Sequence, residues 1–238
     1  MSAPLFVPRL PELVAGLDLG QAHDYTAFVV GQVLRPVTGA PHVHVSHMER
    51  LRGIRYPEIV RHVKGRLETL TTPFPRPTVQ LAIDRTGVGR AVGDAFVEAD
   101  MPCELALITI HGGDSVVRDD AGYRVPKRDL VGAVQIMLQE SRLKVAAVLP
   151  EAATFVKEAT AFKVTINERT GHDSYAAWRE GDHDDLVLAV AMMCWLVAGR
   201  PVTGIRQYSY LNQSGGFRTE DDDEDESDWP GPSWSMRA

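Results

Sequence analysis

AGLDLGQAHDYTAFVVG, residues 15–31, sets two aspartates into a stretch that otherwise reads as strand, turn and second strand. Leu17 and Leu19 flank Asp18, and Asp24 follows across the turn. An ionised carboxylate in an apolar strand is expensive to bury unless a cation, a hydrogen-bond donor or water compensates it. The candidates for compensating Asp18 lie elsewhere in the chain.

Working outward, ELVAGLDLG (12–20) and TAFVVGQVLR (26–35) predict two strands, with QAHDY (21–25) turning between them. HVHVSHMERL (42–51) alternates as a third, and short turns make these neighbours antiparallel. YPEIVRHVKGRLETL (56–70) carries Ile59, Val60, Val63, Leu67 and Leu70 at helical spacing, and TTPFPRP (71–77) ends it. TVQLAID (78–84) is a fourth strand ending on Asp84, TGVGRAVGDAFVEAD (86–100) a glycine-rich turn and helix, and CELALITI (103–110) a fifth strand. Strand, helix, strand implies a parallel crossover, so the expected fold class is α/β with a mixed sheet flanked by helices. HGGDSVVRDDAGYRV (111–125) lacks periodicity and reads as a long loop near the site. PKRDLVGAVQIMLQES (126–141) predicts a helix with Pro126 at its first position. PEAATFVKEATAF (150–162) predicts a short helix and KVTIN (163–167) a strand. DDLVLAVAMMCWLVAG (184–199) is a strongly apolar helix, preceded by REGDH and closed by Gly199 and Pro201.

With 238 residues, 44% of them hydrophobic, the chain suits one full-sized domain plus an arm or tail. The expected division is an N-terminal arm at 1–12, a domain at 13–199 and a disordered tail at 200–238. EDDDEDESD (220–228) alone holds eight acidic residues, so the net charge of −7 belongs to the tail and the body is nearly neutral. Cys103 and Cys194 form no CxxC pattern, which argues against structural zinc and suits a reducing compartment. No apolar run reaches transmembrane length, and MSAPLFVPRLPELV lacks the basic and apolar regions of a signal peptide. A soluble, intracellular protein with no membrane partner is expected.

Carboxylates stand at the ends of three core elements: Asp18, Asp84, and the pair Asp184 and Asp185. Each has an ordinary reading, Asp184 or Asp185 as a helix cap and Asp84 as the opener of a turn. Together, ionised in a low-dielectric site, they would repel one another by several kcal/mol, roughly, and a divalent cation removes that penalty. Hard oxygen donors favour magnesium or manganese over zinc, and two such ions about 4 Å apart clamp the attacking and leaving oxygens of a phosphodiester. Asp24 either reaches the same site or pairs with a turn amide. His183 either caps the last helix or orients a carboxylate. Arg118, Arg124, Lys127 and Arg128 either hold phosphates or form a solvated surface. In HVHVSH, His42 and His44 share a strand face and His47 falls on the other, which fits polar positions on an edge strand better than a metal site. Trp178 and Trp195 are expected in the core.

Four blocks, GLDLGQAHDYTAFVV, AIDRTGVGRAVGDAF, YRVPKRDLVGAVQ and GDHDDLVLAVAMMCW, in this order, resemble the nuclease domain of the large terminase subunit of tailed bacteriophages, a member of the ribonuclease H-like superfamily. The resemblance spans residues 13 to 198. It implies a ribonuclease H-like fold, and that Asp18, Asp84 and Asp185, with Asp184 auxiliary, correspond to the acidic ligands of two magnesium or manganese ions. It further implies cleavage of double-stranded DNA during genome packaging, in the cytoplasm of an infected bacterium, with portal and small terminase as partners. Large terminases usually carry an ATPase ahead of the nuclease, yet no GxxxxGK[ST] loop occurs here, so the chain is expected to be either an isolated nuclease domain or a split version partnered by a separate ATPase motor. Two rival readings stand beside it. GLDLG with Thr26 resembles the first phosphate loop of actin-like and sugar-kinase ATPases, although Arg85 and Thr86 stand where their second loop wants a small residue and glycine. The other is a non-catalytic packaging module on the same fold.

Overall fold

The computed structural model describes residues 11–20, 24–73, 77–87, 90–168 and 184–198. These all fall in one compact unit, Met1–Pro201. Three strands come first: β1 (Glu12–Asp18), β2 (Thr26–Leu34) and β3 (His42–Leu51). Then follow α1 (Tyr56–Thr71), β4 (Thr78–Asp84), α2 (Arg90–Glu98) and β5 (Glu104–His111). The hairpin β6 (Val117–Asp119) and β7 (Gly122–Pro126) leads into α3 (Lys127–Gln139), β8 (Leu143–Val145), α4 (Ala152–Glu168) and α5 (Asp185–Val197). The strands form one sheet in the order β6-β7-β5-β4-β1-β2-β3-β8. β1, β2 and β3 are mutually antiparallel neighbours, whereas β4 runs parallel to β1, β5 to β4 and β7 to β5. The expected mixed sheet is therefore present, and β1, β3, β4, β5 and β7 all end at one edge.

Strand alternation divides the core in two. Leu13, Ala15 and Leu17 of β1 join Phe28, Val30, Leu81 and Ile83 under α1 and α2. On the opposite face Val14, Ala27, Val29, Ala82 and Ile108 pack under α3 and α5, with Phe155 of α4. Every residue of α5 from Asp185 to Val197 is buried. A helix apolar on all sides needs such a place, wedged between a sheet and other helices. Two glycines seat it. A Cβ on Gly16 would lie 1.9 Å from the Ala189 carbonyl oxygen, so the backbones of β1 and α5 are in direct contact. Gly31 of β2 faces the same helix, 3.3 Å from the Met193 sulfur by the same construction.

Several expectations are corrected. Residues 111–125 hold the β6–β7 hairpin instead of an unstructured loop: Asp119 accepts the Ala121 amide at 2.9 Å. Gly122 takes φ +123°, a left-handed value that favours glycine. Tyr123 and Val125 are buried there and Val116 packs against the same core, too few to show a period among charged neighbours. KVTIN is helical, the end of the 17-residue α4. The β preference of Val164, Thr165 and Ile166 amounts to a few tenths of a kcal/mol each, roughly, which a helix already nucleated upstream overrides. Pro126 stands at the N-cap of α3 and not inside it. β3 is not an edge strand, because the short β8 pairs along Val43–Val45. A bulge in β3 between Val45 and His47 returns His47 to the face of His42 and His44. There His47 and His62 of α1 meet Glu49 at 3.2 and 2.8 Å. Trp195 is buried, and Trp178 lies outside the described residues, as do Gly199, Pro201, most of the arm and the acidic tail. Among the described residues no helix is long and apolar enough to cross a membrane.

The seat of α5 predicts a contrast between two substitutions. Gly16→Ala should lower the unfolding free energy by at least about 2 kcal/mol, since the methyl group meets backbone that cannot rotate away. Gly65→Ala, on open helix surface, should raise it by about 0.5–1 kcal/mol. Urea denaturation of both variants measures the difference; equal effects would contradict the backbone contact.

Candidate functional site

The sheet register brings the first two acids together. β1 and β4 pair in parallel up to Leu17 and Ile83, so Asp18 and Asp84 are the next residues on adjacent strands. Both point to the α5 face, because Leu17 and Ile83 point to the other. Strand spacing of about 4.8 Å puts such neighbours within reach of a common ligand. Across the antiparallel side, Asp18 stands opposite Ala27, and Ala27 opposite Arg50 of β3. One row on one face thus reads Asp84, Asp18, Ala27, Arg50. The N-terminus of α5 comes down over this row. Ala189 touches Gly16, two residues before Asp18, and Asp185 is one helical turn before Ala189.

Burial and charge both act on the cluster. Asp18 is only 8% exposed. Its burial, followed by the charges of Asp84, Asp185, Asp184 and Glu158, pushes its carboxyl well above the usual carboxylate range. Asp185 is also buried, whereas Asp84 and Asp184 are partly accessible. Asp84 does open a turn, accepting the Thr86 amide at 2.7 Å, and it does so from a position beside Asp18. Asp184 is the N-cap of α5 by position, and its carbonyl accepts the Leu188 amide at 2.9 Å, but its side chain makes no capping hydrogen bond.

The residue that sequence reasoning missed is Glu158. This glutamate of α4 is buried, and its Oε2 accepts the Leu186 amide at 3.1 Å. Its Oε1 lies 3.6 Å from Arg50. Burial and the neighbouring Asp185 raise its pKa from 4.5 to about 7, against the opposing pull of Arg50 and of the Leu186 and Val187 amides. A signal was present: Glu158 falls on the stripe of Ala152, Phe155 and Ala159, where a charge is out of place on a buried helix face.

The remaining predicted residues disperse. Asp24 is exposed and lines a cavity of about 430 Å³ with Gly20, Thr26, Arg55 and Tyr56, at the start of α1. His183 lies outside the described residues. The four cations form no single patch. Lys127 is buried directly after β7, at the sheet edge that carries the acids. Arg128 pairs with Asp114, and Arg118 stacks on the Tyr123 ring at 5.1 Å. Arg124 is exposed on the opposite hairpin face, since Tyr123 and Val125 point inward. Among the described residues no three His, Cys, Asp or Glu side chains close into an ion-binding group as they stand. The acid cluster fits a hard divalent cation by its donor chemistry, oxygen atoms on fixed backbone whose charges oppose one another.

Strand order β3-β2-β1-β4-β5, antiparallel then parallel, with helices on both faces and acids at the ends of β1 and β4, defines a ribonuclease H-like fold. The chain is similar to the large terminase nuclease of the thermophilic phage G20c, with 17% identity over 80% of this chain and 90% of that one and a TM-score of 0.47. The human cytomegalovirus terminase nuclease domain, soaked with manganese, matches with 12% identity over 79% of this chain and 84% of that one, TM-score 0.49. RuvC of Thermus thermophilus matches with 19% identity over 79% and 97%, TM-score 0.36. No protein-family model and no curated protein matches the chain.

Raised carboxyl pKa values tie stability to pH. The folded, metal-free chain holds protons on Asp18 and Glu158 that the unfolded chain has released above its ordinary values of 3.8 and 4.5. Their destabilising effect is therefore absent at low pH and grows as pH rises, up to about 7 for Glu158. Glu49 has the opposite sign: burial opposes its ionisation, but hydrogen bonds from His47 and His62 hold it at about 2, so its contribution is lost only as pH falls below 4.5 towards that value. In EDTA, the fall in melting temperature from pH 5 to 7 should be steeper for the wild type than for Asp18→Asn or Glu158→Gln. Parallel curves would show that these groups ionise alike in the folded and unfolded chains.

Proposed function

We propose that this chain is a metal-dependent endonuclease, with Asp18, Asp84 and Asp185 as ligands of two magnesium or manganese ions and Asp184 as an auxiliary ligand. The observation that supports it is the convergence of Asp18 and Asp84 on one sheet face beneath the N-terminus of α5, with the Asp18 carboxyl held far from its ordinary behaviour. Perturbed titration in a group buried beside like charges is a mark of sites that bind or react. It is not a way to gain stability.

When bound, divalent ions supply charge to a scissile phosphodiester and lower the pKa of the attacking water. The chain's own residues supply position. Asp18 is fixed by the β1 ladder, Asp84 by the turn bond to Thr86, and Asp185 by a helix sealed in the core. Lys127, at the same sheet edge, would hold a phosphate on this reading. Double-stranded DNA as substrate, and genome packaging in a bacterial host with a separate ATPase motor, portal and small terminase as partners, belong to the same proposal. They are supported by the four sequence blocks that resemble phage terminases.

Asp18→Asn, Asp84→Asn and Asp185→Asn should each reduce manganese-dependent plasmid nicking by at least about 100-fold, with circular dichroism unchanged. A variant that nicks at the wild-type rate removes that residue from the ligand set. Nicking that persists in excess EDTA removes the metal. ATP turnover without DNA, abolished by Asp18→Asn, would favour the nucleotide-binding reading instead.

A further inference from the structure

A helix begins with amide groups that its own turns cannot satisfy, and a short polar side chain at the N-cap ordinarily accepts them. Asp184 occupies that position in α5 yet makes no capping bond. The Leu186 amide is accepted by Glu158, 28 residues earlier and on another helix. Glu158 is held in turn by Arg50, which also meets Glu151 at 3.2 Å and covers the Tyr25 ring at 4.5 Å. Arg50 belongs to the same cross-strand row as Asp18.

We infer that Glu158 is a positioning residue of the acidic centre: it takes over the cap of α5, fixing the first turn that carries Asp184 and Asp185 beside Asp18 without a capping bond from the Asp184 side chain, and Arg50 anchors it to the sheet. The inference rests on the nuclease reading for its purpose, although the capping arrangement stands apart from it. A carboxylate at Asp184 that bent back to cap its own helix would be turned towards Leu186 and Val187. A cap supplied from α4 removes that competition. Arg50 adds a cation that keeps Glu158 beside the helix end despite the acids nearby.

The test compares wild type, Glu158→Ala and Glu158→Gln. Glutamine keeps an oxygen that accepts the Leu186 amide, whereas alanine offers none. Exchange of the Leu186 amide, followed by hydrogen–deuterium exchange on protein shown to be folded, should accelerate about tenfold in E158A. It should stay within about threefold of wild type in E158Q. The manganese concentration for half-maximal plasmid nicking should rise about tenfold or more in E158A and be largely restored in E158Q, while the KM for DNA is unchanged. A residue that only supports the fold would lower the melting temperature without moving the manganese requirement, and that result overturns the inference. So does unaltered exchange of Leu186 in E158A. If E158A does not fold, E158Q against Arg50→Gln decides in its place: the inference requires faster Leu186 exchange when Arg50 no longer anchors the glutamate, and equal exchange in wild type and R50Q overturns it. If the wild type itself does not nick DNA, the nuclease reading fails, and the exchange measurement still judges the cap.

Discussion

The contact between the backbones of Gly16 and Ala189 is the constraint on which the rest of the site depends. Any side chain at position 16 would lift α5 off β1. That helix is buried along its whole length and sits on small residues, Ala27, Ala82 and the two glycines, so it has little freedom to slide or rotate. Fixing one point of α5 on β1 fixes where its first turn comes down. The geometry of a strand and a helix then does the remainder: two residues along β1 lead to Asp18, and four residues back along α5 lead to Asp185.

Bringing carboxylates together in this way works against the fold. Two like charges 4 Å apart repel by roughly 4 kcal/mol at the effective dielectric of a protein surface, and several acids act on Asp18 at once. Part of the tension is met by a proton, as the raised pKa of Asp18 records. At Glu158 the tension is partly met by Arg50, which stands in the same row two strands from Asp18 and pairs with that glutamate. On the proposed reading, a divalent cation would neutralise the rest. On the same reading, an aspartate ends this apolar strand because the core holds it where a cation is to be bound.

Much of this was legible in the sequence. The three opening strands and the TVQLAID strand could be read because their faces are cleanly alternating or fully apolar, and the last helix because it is apolar throughout. Asp18 and Asp84 stood out because each ends such an element. The parts that escaped are those decided by contacts between distant segments. The β6–β7 hairpin shows only two inward residues, and β8 is three residues long, so neither displays a period. KVTIN has a local preference that the rest of α4 overrides. Glu158 stands out only as a charge on an apolar stripe; its role was not legible because its partners, Leu186 and Arg50, are 28 and 108 residues away in sequence, and no spacing rule connects them. The four cations lie close in sequence but separate in space, because strand alternation sends Arg118 and Arg124 to opposite faces.

The central claim is that the row beneath α5 is a site for divalent metal. Anomalous X-ray diffraction from crystals soaked in manganese tests it most directly. The account predicts manganese density between Asp18, Asp84 and Asp185, lost in crystals of Asp18→Asn. Density confined to other groups, such as Asp24 in its cavity or Glu49 with its two histidines, or none at all at a concentration that supports nicking, would contradict it.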